Sequence, residues 1–148
     1  MRTAFLAILA FTLFAAASPA RAEVWEFRTA EGGTAPCRAV RQGPELTVQL
    51  LRNDEDQIIV AAGPVPPEME IPGRARRVNL SVSVDGAAPA DLEGFVIQTV
   101  VFIRITDPAL EQALRNGRMS AWRFPWGAFS ADITGLGEAF DPLISCTR

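Results

Sequence analysis

The feature that most restricts the fold of this 148-residue chain is an alternation near its middle. From Arg76 to Asp85, every second position is apolar (Val78, Leu80, Val82, Val84), and Arg77, Asn79, Ser81 and Ser83 stand between them. Successive side chains of a strand point to opposite faces, so a period of two predicts a strand with one buried and one wet face. Asp85-Gly86 ends it in a turn. A strand of this kind needs a sheet, and the chain supplies candidates on either side. Val24–Thr29 carries Trp25 and Phe27 on one side, Cys37–Arg41 is short, and Glu45–Arg52 places Leu46, Val48 and Leu50 at period two. Gln57–Ala61 runs back from a polar tip to make a hairpin.

Further on, Phe95–Ile105 reads as one apolar, β-branched strand covered on both faces over part of its length, and Arg118–Phe124 and Phe129–Ile133 read as two more. Gly63–Gly73 holds Pro64, Pro66, Pro67 and Pro72 and is expected to cross one end of the domain as a loop, because proline has no place inside a ladder. Two helices complete the pattern. Asp107-Pro108 supplies an N-cap and first residue, Leu110 and Leu114 share a face, and Asn116-Gly117 closes the first helix. Leu136, Ala139, Phe140 and Leu143 mark a second over Gly135–Cys146, which Pro142 shortens or kinks. The expected fold is α+β: a mainly antiparallel β-sandwich or curved sheet of about seven or eight strands with two short helices.

The amino terminus has a different character. Arg2 is followed by an apolar run from Ala4 to Ala17, then by Ser18-Pro19 and by Ala20-Arg21-Ala22. Charge, apolar stretch and small-x-small site make a secretory signal, cleaved after Ala22. The run is shorter than the ~20 residues of a spanning helix. Residues 23–148 are then one domain, periplasmic or secreted, with no stable membrane insertion after cleavage. Loss of Arg2 and Arg21 leaves 12 arginines against 17 acids, a net charge of −5. Such a charge disfavours nucleic acid, whose binding rests on neutralised phosphates. In an oxidising compartment the two cysteines, Cys37 and Cys146, are expected to form one disulfide that closes the domain.

The missing residue types narrow the chemistry. The chain has no histidine, lysine or tyrosine. Imidazole-based nucleophilic triads, Schiff bases and histidine zinc sites are therefore excluded. Carboxylate chemistry remains, with Glu68 and Glu70 or Asp91 and Glu93 as pairs flanking loops. Asp54-Glu55-Asp56 lacks the glycine and spacing of a calcium loop and reads as a solvated hairpin tip. No metal, cofactor or catalytic residue is assigned. Two clusters are candidates for binding. Trp122-Arg123-Phe124-Pro125-Trp126-Gly127 alternates aromatics with arginine, the residue types that dominate interface hot spots. Its bland alternative is a core role for Trp122 and Phe124, with Trp126 capping the sheet. Arg74, Arg76 and Arg77 either grip an anion or form a wet strand edge.

Several of these features occur together in a known group. Phe129-Ser-Ala131, Ile133, Gly135, Ala139, Leu143 and Cys146 follow the early Trp25 and Cys37, the strand ending Val82-Ser-Val84-Asp85-Gly86 and the helix ending Ala113-Leu114-Arg-Asn-Gly117. The arrangement resembles the small exported proteins related to invasion-associated locus B of Gram-negative bacteria. The resemblance implies a secreted β-rich fold and an envelope or host-contact role, without catalytic residues. The proline-rich loop and Pro125-Trp126-Gly127 depart from it. The expected function is non-catalytic binding of an envelope or host protein partner. A small-ligand or glycan site at Trp126 and the Arg74–Arg77 edge, and a carboxylate hydrolase, are the alternatives.

Overall fold

The computed structural model describes residues 25–28, 37–52 and 57–146. The expected signal segment 1–22 and the expected acidic tip Asp54–Asp56 lie outside the described residues. Nine strands form one antiparallel sheet: β1 Glu26–Arg28, β2 Arg38–Gln42, β3 Thr47–Arg52, β4 Ile58–Gly63, β5 Arg76–Val84, β6 Ala90–Ile97, β7 Val100–Arg104, β8 Met119–Phe124 and β9 Gly127–Asp132. The spatial order is β1-β2-β3-β4-β7-β6-β5-β8-β9. The sheet curls into a half-barrel around helices α1 (Pro108–Asn116) and α2 (Leu136–Cys146). Of the two expected arrangements, the single curved sheet is the one adopted, with one strand more than the upper expectation.

The extra strand comes from dividing Phe95–Ile105. Ile97 pairs with Val100 across the two-residue turn Gln98-Thr99, and Gln98 takes the left-handed φ of 55°. Neither turn residue is a glycine, proline or asparagine, so the apolar run hides the reversal. β6 also begins earlier than expected, at Ala90, and pairs with β5 from Val82↔Ala90 to Arg76↔Val96.

Alternation decides which face is inside. Val78, Leu80, Val82 and Val84 of β5 point inward with Val48, Leu50, Val60, Val96, Val101 and Ile103, and Leu110, Leu114, Leu136, Phe140 and Leu143 of the helices fill the space they enclose. α2 lies against β2 and β3, and α1 packs on α2. Helix α1 starts as expected, with the Ala109 N–H donating to Asp107 Oδ1 at 2.9 Å. It ends at Gly117, but not in a left-handed cap, since Gly117 has φ −74°. Glycine is needed there for space: a Cβ would stand 2.4 Å from Val84 Cγ1 and 2.8 Å from the Ala113 carbonyl oxygen. Pro142 is accommodated inside α2.

The turn after β5 carries a cross-sheet tie. Asp85 and Gly86 have φ of 49° and 76°, the conformation of a tight hairpin turn. The Asp85 carboxylate accepts the backbone N–H of Met119 at 2.9 Å and of Arg118 at 3.1 Å, fixing the start of β8. Asp85→Ala removes this acceptor and puts a methyl-bearing residue at positive φ. We expect a loss of about 2 kcal/mol, with Asp85→Asn recovering more than half, measured by urea denaturation.

Candidate functional site

The aromatic segment does not form one surface. Period two turns Ser120, Trp122 and Phe124 inward and Arg123 outward. Trp122 is 1% exposed. Its indole Nε1 donates to Ser120 Oγ at 2.7 Å, and that hydroxyl donates to the Ala131 carbonyl at 3.2 Å. Phe124 stacks on Trp122 at 6.2 Å and on Trp126 at 5.0 Å, with ring planes within 6° and 2° of parallel. Trp122 is therefore a core residue rather than a binding anchor, and Trp126 is half-buried against that core. Arg123 stands on the opposite face, in a shallow trough of 240 Å³ floored by Ser81, Ser83, Ala121, Ala128 and Ser130.

The arginine cluster meets better company. Arg77 is directly opposite Phe95 on β6, and Phe95 is opposite Phe102 on β7. The Arg77 guanidinium carbon lies 5.8 Å from the Phe95 ring centre, and its Nε is 3.4 Å from Glu93 Oε1. Phe95 and Ile97 are 39% and 45% exposed on the outer face of the sheet. Val100, Phe102 and Ile59 are half-buried beside them, and Arg104, opposite Ile59, is exposed. Both helices pack inside the sheet, so among the described residues no element covers this face. At its end, exposed Ile71 and Arg74 share a 260 Å³ cleft with Glu70, Pro72, Ile97 and Gln98. Arg76 is exposed at the start of β5, opposite Val96.

Arg123 is opposite Ser81, four residues along β5 from Arg77, or about 13 Å at the usual rise of a strand. The two candidate clusters thus occupy different rows of the outer face. Of the carboxylate pairs, Asp91 and Glu93 lie on strand β6 rather than at a loop, both on its exposed face, and Glu68 sits in the short 3₁₀ turn Pro67–Met69, just before Glu70.

One polar constellation was not expected. Arg41, on β2, shares the inward face with Ala39 and is 6% exposed. Its Nη2 donates to Asp132 Oδ2 at 2.8 Å and its Nη1 to the Thr134 carbonyl at 2.6 Å. Trp25 Nε1 donates to the same carbonyl at 3.0 Å, and the Ser130 N–H donates to Glu45 Oε2 at 3.3 Å. These bonds join the two margins of the curled sheet. Burial raises the Asp132 pKa, but hydrogen bonds from the Thr134 hydroxyl and N–H, with the Arg41 charge, outweigh it and hold the carboxyl below the ordinary value. The signal available in the sequence was a charge in period-two register with Cys37 and Ala39.

These features define a class: a small antiparallel half-barrel, filled by two helices and joined along a polar seam. No protein-family model and no curated protein matches the chain. The crystal structure of invasion associated protein B from Bartonella henselae is similar, with a TM-score of 0.51 over 76% of this chain and 86% of that chain. The two sequences are 16% identical, so the likeness is one of fold, and it agrees with the resemblance carried by the scattered residues above.

Proposed function

We propose that the chain is a non-catalytic exported protein, periplasmic or secreted, that works by binding a protein partner of the envelope or host. The observation that carries this reading is the outer face of β6 and β7. Phe95, Ile97 and Phe102 lie there beside Arg77 and Arg104 with no covering element among the described residues. Aromatic side chains and arginine on an apolar patch are the composition of an interface centre. Arg74 extends the same surface at its end, whereas Arg76, opposite the buried Val96, takes the other side of β5 and Trp126 belongs to another part of the molecule. The amino-terminal signal and a Cys37–Cys146 bridge are part of this proposal. Cys37 is buried next to β2, and α2, which ends at Cys146, runs against β2 and β3. The Cys146 side chain itself lies outside the described residues.

The test compares capture by residues 23–148 and by a Phe95→Asp, Ile97→Asp double variant from cross-linked envelope and host-cell extracts. We expect one defined protein to be recovered by the parent and lost with the variant, while Trp126→Ala keeps it. Both side chains lie on the outer face but Phe95 is opposite Arg77 and Phe102, so the melting temperature should fall modestly with the fold retained, as checked by circular dichroism. Equal recovery by the variant would refute the reading.

A further inference from the structure

Each strand of the sheet is joined to its neighbours by a backbone ladder. The two margins differ: β9 meets β2 through side chains, namely Arg41 on Asp132 and the Thr134 carbonyl, Trp25 on that carbonyl, and Glu45 on the Ser130 N–H. A ladder separates only when several bonds break together, whereas this seam depends on a few polar side chains. Arg41 is also in a position that costs free energy to fill with a charge, because its guanidinium is withdrawn from water and held in part by a carboxylate 91 residues away. On either side of the seam stand apolar side chains that closure keeps dry: Ala39 from β2, Ala131 from β9 and Ile133 beyond it.

We infer that the seam between β2 and β9 is a releasable latch, where the half-barrel opens first, while the β5–β6 and β5–β8 ladders stay closed. Local opening of this kind is set by the few interactions that close the unit concerned, and can occur well below the free energy of global unfolding. Release parts β1 and β2 from β9 and bares Ala39, Ala131 and Ile133. Among the described residues, Arg41 of β2, Asp132 at the end of β9 and Glu45 before β3 carry charge at the seam, with Glu138 of α2 beside Gly135 and Glu26 on the adjoining β1. Asp132 bonds both to Arg41 and to the Thr134 N–H, so its charge serves both margins. Burial raises the Asp132 pKa and the local Thr134 bonds lower it; of the lowering causes the Arg41 charge alone acts across the seam, so that share favours the closed form above the ordinary value and is lost as pH falls through the lowered one.

Amide hydrogen exchange on residues 23–148 tests the latch, with each rate corrected for its intrinsic pH dependence. At pH 7, Arg41→Met and Asp132→Asn should each speed exchange at Ser130 and Thr134 by about tenfold or more, leaving the Leu80 and Val82 amides of β5 unchanged. In the parent, the same local acceleration should appear only on acidification through the carboxylate range, and Asp132→Asn should show a smaller acid step. Acceleration shared equally by β5 and β9 would mean a general loss of stability and would overturn the inference. So would unchanged exchange at Ser130 and Thr134. Should both variants fail to fold, the acid titration of the parent decides by the same two readouts.

Discussion

Trp122→Ala should lower the stability by about 3–5 kcal/mol, the range for truncating a fully buried tryptophan. The ring is enclosed, stacked on Phe124 and bonded through Nε1 to Ser120. Its removal leaves a cavity between β8 and the inward valines of β5, where Val82 is its direct neighbour. It also leaves the Ser120 hydroxyl without the indole donor. Repair by collapse is limited, because Phe124 is itself held between Trp122 and Trp126. For a domain of this size the melting temperature should fall by roughly 15 °C, and calorimetry is the direct check. Trp122→Phe should cost less than half as much, since it keeps a stacked ring. A loss below about 1 kcal/mol for Trp122→Ala would contradict the enclosed position.

Reduction of the proposed Cys37–Cys146 bridge should have an effect of similar size. The bridge would close a loop of 109 residues. In the chain-entropy model a loop of that length contributes about 4–5 kcal/mol, because the cross-link restricts the unfolded chain. Dithiothreitol should shift the urea midpoint of residues 23–148 downward by at least about a quarter if the total is in the usual range of about 5–15 kcal/mol. The Cys37→Ala, Cys146→Ala double variant should match the reduced parent and show no response to the reagent. Identical denaturation curves before and after reduction would remove the bridge from the account.

Local rules carried much of the architecture. The β5 strand was legible from four apolar residues at period two, its turn from Asp85-Gly86, and α1 from its Asp107-Pro108 start. The reversal at Gln98-Thr99 was not, because Gln98 adopts positive φ without being a residue that favours it. Ala90–Gly94 lacked the β-branched residues that announce a strand and is held in place by pairing with β5. Whether the strands made a sandwich or one curved sheet turned on β4 pairing with β7, a contact between segments with no local signal. For the candidate surface, the arginines were visible as a cluster, but Phe95 and Ile97 looked like core because they belong to an apolar run. Arg41 escaped notice for a related reason: its partners lie 91 and 93 residues away and emerge only when the sheet has curled.

The strand order also bears on how the chain reaches its native state. β1 to β4 follow one another as a meander, β5 to β7 as a second and β8 with β9 as a hairpin, so pairing inside each piece needs only short loops. The pieces are stitched by β4 with β7 and by β5 with β8, where Val60 meets Ile103 and Val82 meets Trp122 across 43 and 40 residues of chain. Such distant pairings bear the larger loop-closure entropy and set the pace in topologies rich in them. The kinetic bottleneck should therefore be docking of three preformed modules, with substitutions at these stitches slowing refolding and those inside a hairpin mainly hastening unfolding.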